Sequence, residues 1–291
     1  MPASDAGCRP DVDGLRGIAI AAVIGFHAFP TQVPGGFIGV DVFFVISGYL
    51  ISRIIFGGLA DGTFSFASFY TRRIKRLFPA LLVVLAVVWL AGWFALIPSD
   101  FQNLGKEIAA GATYLSNVLF WSETGYFDKA AAEKPLLHLW SLGVEEQFYL
   151  LFPFIIFVAW LKRINLLAII VLIGVPSFVT NVMLVAHHYS AAAFYLPYSR
   201  FWELMIGSGL AYAELFWTSH FSIRCGLVRN ATTGLGLALL GAAAFRFSPG
   251  PLFPGWWALV PTAGTALVIM AGASTWINRL ILSNRVLVFI G

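Results

Sequence analysis

LFPALLVVLAVVWLAGWFALI, residues 77–97, runs for 21 positions without a charged side chain. A helix needs roughly 20 apolar residues to cross the hydrocarbon core of a bilayer, so this stretch reads as a transmembrane helix. Hydrophobic residues make up 59% of the 291 positions and charged residues 11%, against roughly 45–50% and 25% in soluble domains. Working outward from 77–97, further apolar runs place spans near 15–30, 36–58, 139–160, 165–186, 199–217, 231–247 and 257–276. A transmembrane barrel would show strands of about ten residues with alternating polarity, and that pattern is absent. The expected fold is therefore all-α, a polytopic bundle of about 8–10 spans forming one domain over 1–291. Its last segment, VLVFIG at 286–291, reads as the truncated start of a further span.

The net charge of +4 does not call for nucleic acid, because the basic residues sit in short clusters between spans. Arg72, Arg73, Lys75 and Arg76, then Lys162 and Arg163, then Arg224 and Arg229, then Arg279 and Arg285 fall on one side if the N-terminus is cytoplasmic. The other side receives Lys106, Lys129 and Lys134. This asymmetry follows the positive-inside rule and fixes the expected orientation. The first span contains Arg16 and His27 and lacks an A-x-A site, so it is retained rather than cleaved. Keeping the basic clusters on one side makes 107–121 a re-entrant or interfacial helix on the outer side. Two cysteines, Cys8 and Cys225, give no disulfide framework and are expected as free thiols.

Charge within a span costs about 2.5–3.5 kcal/mol even on lenient insertion scales, so an ionisable residue there is a functional candidate. The candidates are Arg16, His27, Asp41, Glu145, Glu146, Arg200 and Glu203. Arg16 and His27 are eleven residues apart, within about 20° of one helix face and separated by roughly 16 Å along it. Counted from the span ends, His27, Asp41, Glu145, Glu146, Arg200 and Glu203 all fall in the outer half, which predicts one polar cluster. Arg200 and Glu203, at i and i+3, alternatively neutralise each other. Arg73 and Arg76 share a face and either anchor the topology or bind phosphates of a cytosolic ligand. Gly39, Ser47 and Gly48 suit close helix packing, and Trp140, Tyr149 and Tyr198 an aromatic belt or a bundle contact. His187 and His188 lack ligand partners at metal spacing, so no metal is expected.

Five ordered segments carry a resemblance. RPDVDGLRGIAIAAVIGFH at 9–27, GGFIGVDVFFVISGYLIS at 35–52, FYTRRIKRLFPA at 69–80, PLLHLWSLGVEEQFYLLFP at 135–153 and SRFWELMIGSGLAY at 199–212 together resemble acyltransferase family 3. These are integral membrane O-acyltransferases that include O-antigen and peptidoglycan O-acetylases. The resemblance implies transfer of an acetyl or other acyl group from cytoplasmic acetyl-CoA to hydroxyls of an envelope polysaccharide, in a bacterial cytoplasmic membrane. It implies donor binding by Arg16, Arg73 and Arg76. It makes His27 the general base or a transient acyl carrier, with Asp41, Glu145 or Glu146 orienting the imidazole. Trp140, Ser141, Arg200 and Glu203 fall in the same motifs with a substrate-facing or structural role. Membrane lipid, an acyl-CoA and a glycan are the expected partners, with a periplasmic esterase-like domain or protein as a further one. A secondary transporter or lipid-linked glycan flippase is the competing reading, in which the buried ionisable groups relay protons. Against it, no pair of broken helices stands at matching positions in two halves.

Overall fold

The computed structural model describes residues 9–124, 134–217 and 225–291; Cys8, Lys129 and Arg224 lie outside them. Among the described residues every regular element is helical. They are α1 (Pro10–Ala28), α2 (Gly39–Ala60), α3 (Phe66–Ala95), α4 (Pro98–Ala112), α5 (Ser116–Glu123), α6 (Leu139–Leu161), α7 (Leu166–Ala186), α8 (Ser190–Tyr195) and α9 (Pro197–Phe216), followed by α10 (Gly226–Arg246), α11 (Leu259–Ala271) and α12 (Arg285–Ile290). Short 3-10 turns precede α2 and α11, and a π-helical turn spans Asn278–Leu282. The chain is a multi-pass helical membrane protein. Five helices are long and apolar enough to cross a membrane: α2 with its leading turn, α3, α6, α7 and α10.

Local chemistry sets several boundaries. Ser65 caps α3 by accepting the Ser68 amide, and Asn165 caps α7 by accepting the Leu167 amide, each satisfying a donor that a helix start leaves unpaired. Proline opens α4 and α9, where a missing N–H costs nothing. The helix expected over 107–121 is two helices, because the chain breaks at Thr113–Leu115 with Tyr114 at φ 57°. Asn117 is buried and donates to the Tyr195 carbonyl at 3.1 Å, and Phe120 is buried beside it. The residues at 286–291, expected as the start of a span, form the short α12 against α1, where a Cβ on Gly17 would overlap the Leu287 carbonyl.

Helix direction alternates so that the bundle has two ends. One holds the start of α1 and the α2–α3 and α6–α7 connections, and it carries the arginines and lysines of those connections. The other holds His27 and the starts of α2 and α6. The central pair is α2 and α9, which run parallel. A Cβ on Gly48 would overlap the Leu204 carbonyl, and one on Gly207 would overlap that of Val45. The two backbones meet there without intervening side chains. One turn further on, Ser52 donates to Ser208 at 2.8 Å, and Ser208 donates to the Leu204 carbonyl at 3.0 Å. By contrast, Val83, Val87, Leu90 and Phe94 of α3 form an exposed stripe, the face a span turns to lipid.

Gly207→Val should therefore lower stability by about 1–3 kcal/mol or more through overpacking. Gly241→Ala on α10, where an added Cβ meets nothing within 4 Å, should be neutral or stabilising by about 0.5–1 kcal/mol. Thermal unfolding of both proteins in detergent checks the pair.

Candidate functional site

A cavity of about 1120 Å³ opens at the arginine-bearing end, between α1, α2, α3 and α6. Six arginines line it: Arg9, Arg16, Arg53, Arg72, Arg73 and Arg76. Their placement follows from helix periodicity. Arg9 and Arg16 are seven residues apart along α1 and its cap, and Arg73 and Arg76 three apart on α3, so each pair shares a face. On α2, Phe43, Ser47, Leu50, Ile54 and Gly57 supply the wall at i, i+4, i+7, i+11 and i+14, also one face.

Away from the α2–α3 connection the cavity is lined by Ser47, Glu145 and Tyr149. Ser47 donates to Glu145 Oε2 at 3.0 Å, and the Tyr149 hydroxyl donates to the same oxygen at 2.9 Å. Arg73 donates to Glu146 at 2.9 Å with its guanidinium 3.8 Å from the centre of the Tyr149 ring. Arg73 is thus clamped between a carboxylate and an aromatic face, an arrangement suited to a planar guanidinium. Arg16 meets Asp13 at 3.8 Å, and Arg72 donates to Ser68 at 2.6 Å. Three carboxylates, Asp13, Asp61 and Glu145, share the lining with the six arginines. The cavity is strongly basic and matches an anionic ligand.

The predicted single polar cluster divides into separate groups. Asp41, Arg200 and Glu203 form one, fully buried between α2 and α9, with Arg200 2.9 Å from Asp41 and 2.7 Å from Glu203. The rings of Phe44, Phe194 and Trp140 surround the guanidinium at 5.3, 5.9 and 6.0 Å. Arg200 and Glu203 do pair with each other, and Trp140 is a bundle contact. Glu145 and Glu146 belong instead to the arginine cavity. Glu145 is level with Ser47, six residues or roughly 9 Å along α2 from Asp41. Depth counted from each span end fails here because staggered, tilted helices do not begin in one plane.

His27 stands apart from both groups, at the exposed end of α1. Its Nδ1 lies 2.8 Å from the Val23 carbonyl oxygen. A carbonyl only accepts, so Nδ1 carries a hydrogen, and in the neutral ring this tautomer leaves the lone pair on Nε2. The expected orienting carboxylate is replaced by this backbone oxygen, since Asp41, Glu145 and Glu146 are each engaged elsewhere. Sequence reasoning passed over a second imidazole nearby, His138, at the start of α6. Burial pushes its basicity down, the neighbouring His27 adds to this, and a hydrogen bond to the Pro135 carbonyl opposes it. Ser141, in the same turn, donates only to the His138 carbonyl at 3.3 Å.

Arg9, Arg53 and Arg72 were also not singled out as binding residues; of the three, only Arg72 falls in a basic cluster that reads as a topology anchor. Their common signal is register, since each falls on a helix face already carrying another cavity residue. Among the described residues, no group of three or more His, Cys, Asp or Glu side chains could hold a metal.

A helical membrane bundle with a polyarginine cavity at one end and a histidine with a free nitrogen at the other defines the class. Within that class, the model of the Acyltransferase domain, acyltransferase family 3, matches residues 9–291, and the chain belongs to this family. A Haemophilus influenzae protein is 38% identical over 238 residues, covering 79% of this chain and 96% of that protein. The peptidoglycan O-acetyltransferase OatA of Listeria monocytogenes is 37% identical over 213 residues, covering 71% of this chain. The chain spans about a third of that protein's length, 34%. No solved structure matches the chain.

Removing Arg200 would strand two buried carboxylates, which costs about 3–5 kcal/mol. Arg200→Leu should therefore be poorly folded, and adding Asp41→Asn and Glu203→Gln to it should restore much of the loss. Monodispersity and melting temperature in detergent check both proteins; equal destabilisation of the single and triple variants would contradict the assignment.

Proposed function

We propose that this protein is a membrane O-acyltransferase that takes an acetyl or other acyl group from acyl-CoA, acetyl-CoA above all, on the cytoplasmic side and delivers it to a hydroxyl of an envelope polysaccharide. The observation that carries this reading is that α1 places Arg16 in the basic cavity and His27, with Nδ1 held by the Val23 carbonyl, at its opposite end. The name of the Listeria relative, a peptidoglycan O-acetyltransferase, supports a glycan acceptor. The arginine-rich end suits the cytoplasmic face of a bacterial inner membrane.

In this reading Arg16, Arg73 and Arg76 hold the donor's phosphates by charge-assisted hydrogen bonds. The cavity lining ends near Phe43, Ser47 and Glu145, short of His27. The pantetheine arm, long and uncharged, covers that interval. At the far end His27 Nε2 removes the proton of the acceptor hydroxyl as its oxygen attacks the thioester carbonyl carbon. The carbon–sulfur bond then breaks, and the proton passes from Nε2 to the departing thiolate. In the two-step form of the same reaction, Nε2 itself takes the acetyl group before the hydroxyl does. Both forms need the nitrogen that the Val23 hydrogen bond leaves free. A periplasmic esterase-like domain or protein is a suitable downstream acceptor for the same acetyl group.

Membranes containing the full natural protein should transfer radiolabel from acetyl-CoA to envelope glycan. His27→Ala should lower the rate by about 10²–10⁴-fold, the usual worth of a positioned general base, at equal expression. Undiminished transfer would remove His27 from the chemistry, and movement of a labelled glycan across the membrane without acetyl-CoA would favour a transporter.

A further inference from the structure

A second cavity, of about 410 Å³, lies at the arginine-bearing end, where the α6–α7 connection meets the end of α9. Trp160, Arg163 and Asn165 line it from one side and Tyr212 and Phe216 from the other. The rings of Trp160 and Tyr212 stand 6.5 and 5.0 Å from that of Phe216, so the three make an aromatic wall. The polar groups on the lining are donors. Asn165 spends its side-chain oxygen on the Leu167 amide, which leaves its NH2 group. Among the described residues no side-chain hydrogen bond or ion pair engages the Arg163 guanidinium, the Tyr212 hydroxyl or the Trp160 indole N–H. No aspartate or glutamate lines the cavity. A pocket that offers a guanidinium and three neutral donors, and no acid, fits an anion.

Arg163 also occupies a backbone position that favours glycine. It closes α6, its amide donating to the Trp160 carbonyl at 3.0 Å while the Ile164 amide donates to that of Ala159 at 2.8 Å. Its φ is 55°, the left-handed conformation in which a helix commonly ends on glycine. Arginine there accepts a conformational penalty that glycine would avoid, and what it adds is a guanidinium beside the cavity.

The surroundings point to the source of the anion. Both helices joined at Arg163, α6 and α7, are long and apolar enough to cross a membrane. Leu161 and Ile164 are exposed on either side of the connection, and Phe154 and Leu172 are exposed further along the same two helices. The cavity thus sits where a span ends, the level at which tryptophan, tyrosine and arginine meet lipid headgroups, with apolar helix surface running away from it. We propose that it binds the phosphate of a membrane phospholipid. Arg163 holds the phosphate oxygens, the aromatic wall takes the glycerol region, and the acyl chains lie along the exposed faces of α6 and α7. The site is separate from the proposed acyl-transfer chemistry, yet Phe216 lines both cavities. A lipid seated here therefore steadies one wall of the arginine cavity.

The test titrates the purified full protein in detergent with dioleoyl-phosphatidylglycerol, dioleoylglycerol or glycerol 3-phosphate and counts bound molecules by native mass spectrometry. Phosphatidylglycerol should fill one saturable site. Dioleoylglycerol has the same chains without phosphate, glycerol 3-phosphate has phosphate without chains, and each should bind about 10-fold more weakly or worse. Arg163→Gln should weaken phosphatidylglycerol binding about 10- to 100-fold, the range for hydrogen bonds to a charged group. Arg163→Gly removes the guanidinium while relaxing the backbone at φ 55°, so it should fold at least as well and lose the lipid to the same degree. Arg285→Gln, at an exposed basic residue outside the lining, should bind like the wild type. Equal binding of dioleoylglycerol would assign the cavity to acyl chains alone, and equal binding of glycerol 3-phosphate to a soluble anion. An equal loss in Arg285→Gln would mean diffuse charge attraction, and undiminished binding by Arg163→Gly would remove the arginine from the site. Any one of these four results overturns the proposal.

Discussion

The fit of α2 against α9 is the constraint on which the other features depend. The two helices touch backbone to backbone at Gly48 and Gly207, and the buried Arg200 of α9 reaches Asp41 of α2 across the same interface. Breaking a buried, hydrogen-bonded charge pair is expensive, and a lipid environment offers no water to replace it. One face of α2, at Asp41, Val45, Gly48 and Ser52, is committed to α9. The opposite face, at Phe43, Ser47, Leu50 and Ile54, is thereby presented to the cavity. A rotation of α2 that moved the cavity wall would have to expose Asp41 to hydrocarbon.

The helix α1 links the two ends of the molecule on a single stripe. Arg9, Arg16 and His27 are spaced by seven and eleven residues, which brings all three within about 20° of a common face. Gly14 and Gly17 lie elsewhere on the helix and let Leu282 and Leu287 approach the backbone. One helix therefore carries two cavity arginines and the histidine, and its position is held by contacts that do not compete for the functional face. Under the proposed chemistry, this rigid spacing sets how far the donor's arm must reach.

Much of this was legible in the sequence, for reasons that differ by element. Apolar length gave the spans 36–58, 139–160 and 165–186 nearly as they stand, because membrane thickness acts on each helix separately. The alignment of Arg16 with His27 and of Arg73 with Arg76 was legible because both partners of each pair share one helix. The grouping of Asp41, Glu145, Glu146, Arg200 and Glu203 was not, since each pairing depends on the stagger and rotation of different helices. The break at Tyr114 was hidden by apolar residues on both sides. The Val23 carbonyl that orients His27 is a backbone atom, which no side-chain pattern reports. Arg53 was not singled out, because the contacts that mark it, to the Tyr49 ring and to Glu214, join different helices or turns that no sequence spacing reports.

The carboxylates near the cavity leave it basic. Glu146 binds Arg73 on one edge while Tyr149 covers one face, leaving the remaining guanidinium donors directed rather than quenched. Glu145 is held by Ser47 and Tyr149, so it steadies the ring on which Arg73 rests. Fixing an arginine before the ligand arrives removes much of the side-chain ordering cost, about 0.5–1.5 kcal/mol for each immobilised side chain. Lysine would keep the charge but lose both the planar stack and the fork of donors. Under the proposed donor reading, arginine at all six basic lining positions, with acids placed behind some of them, suits a preorganised site for a phosphate-bearing ligand.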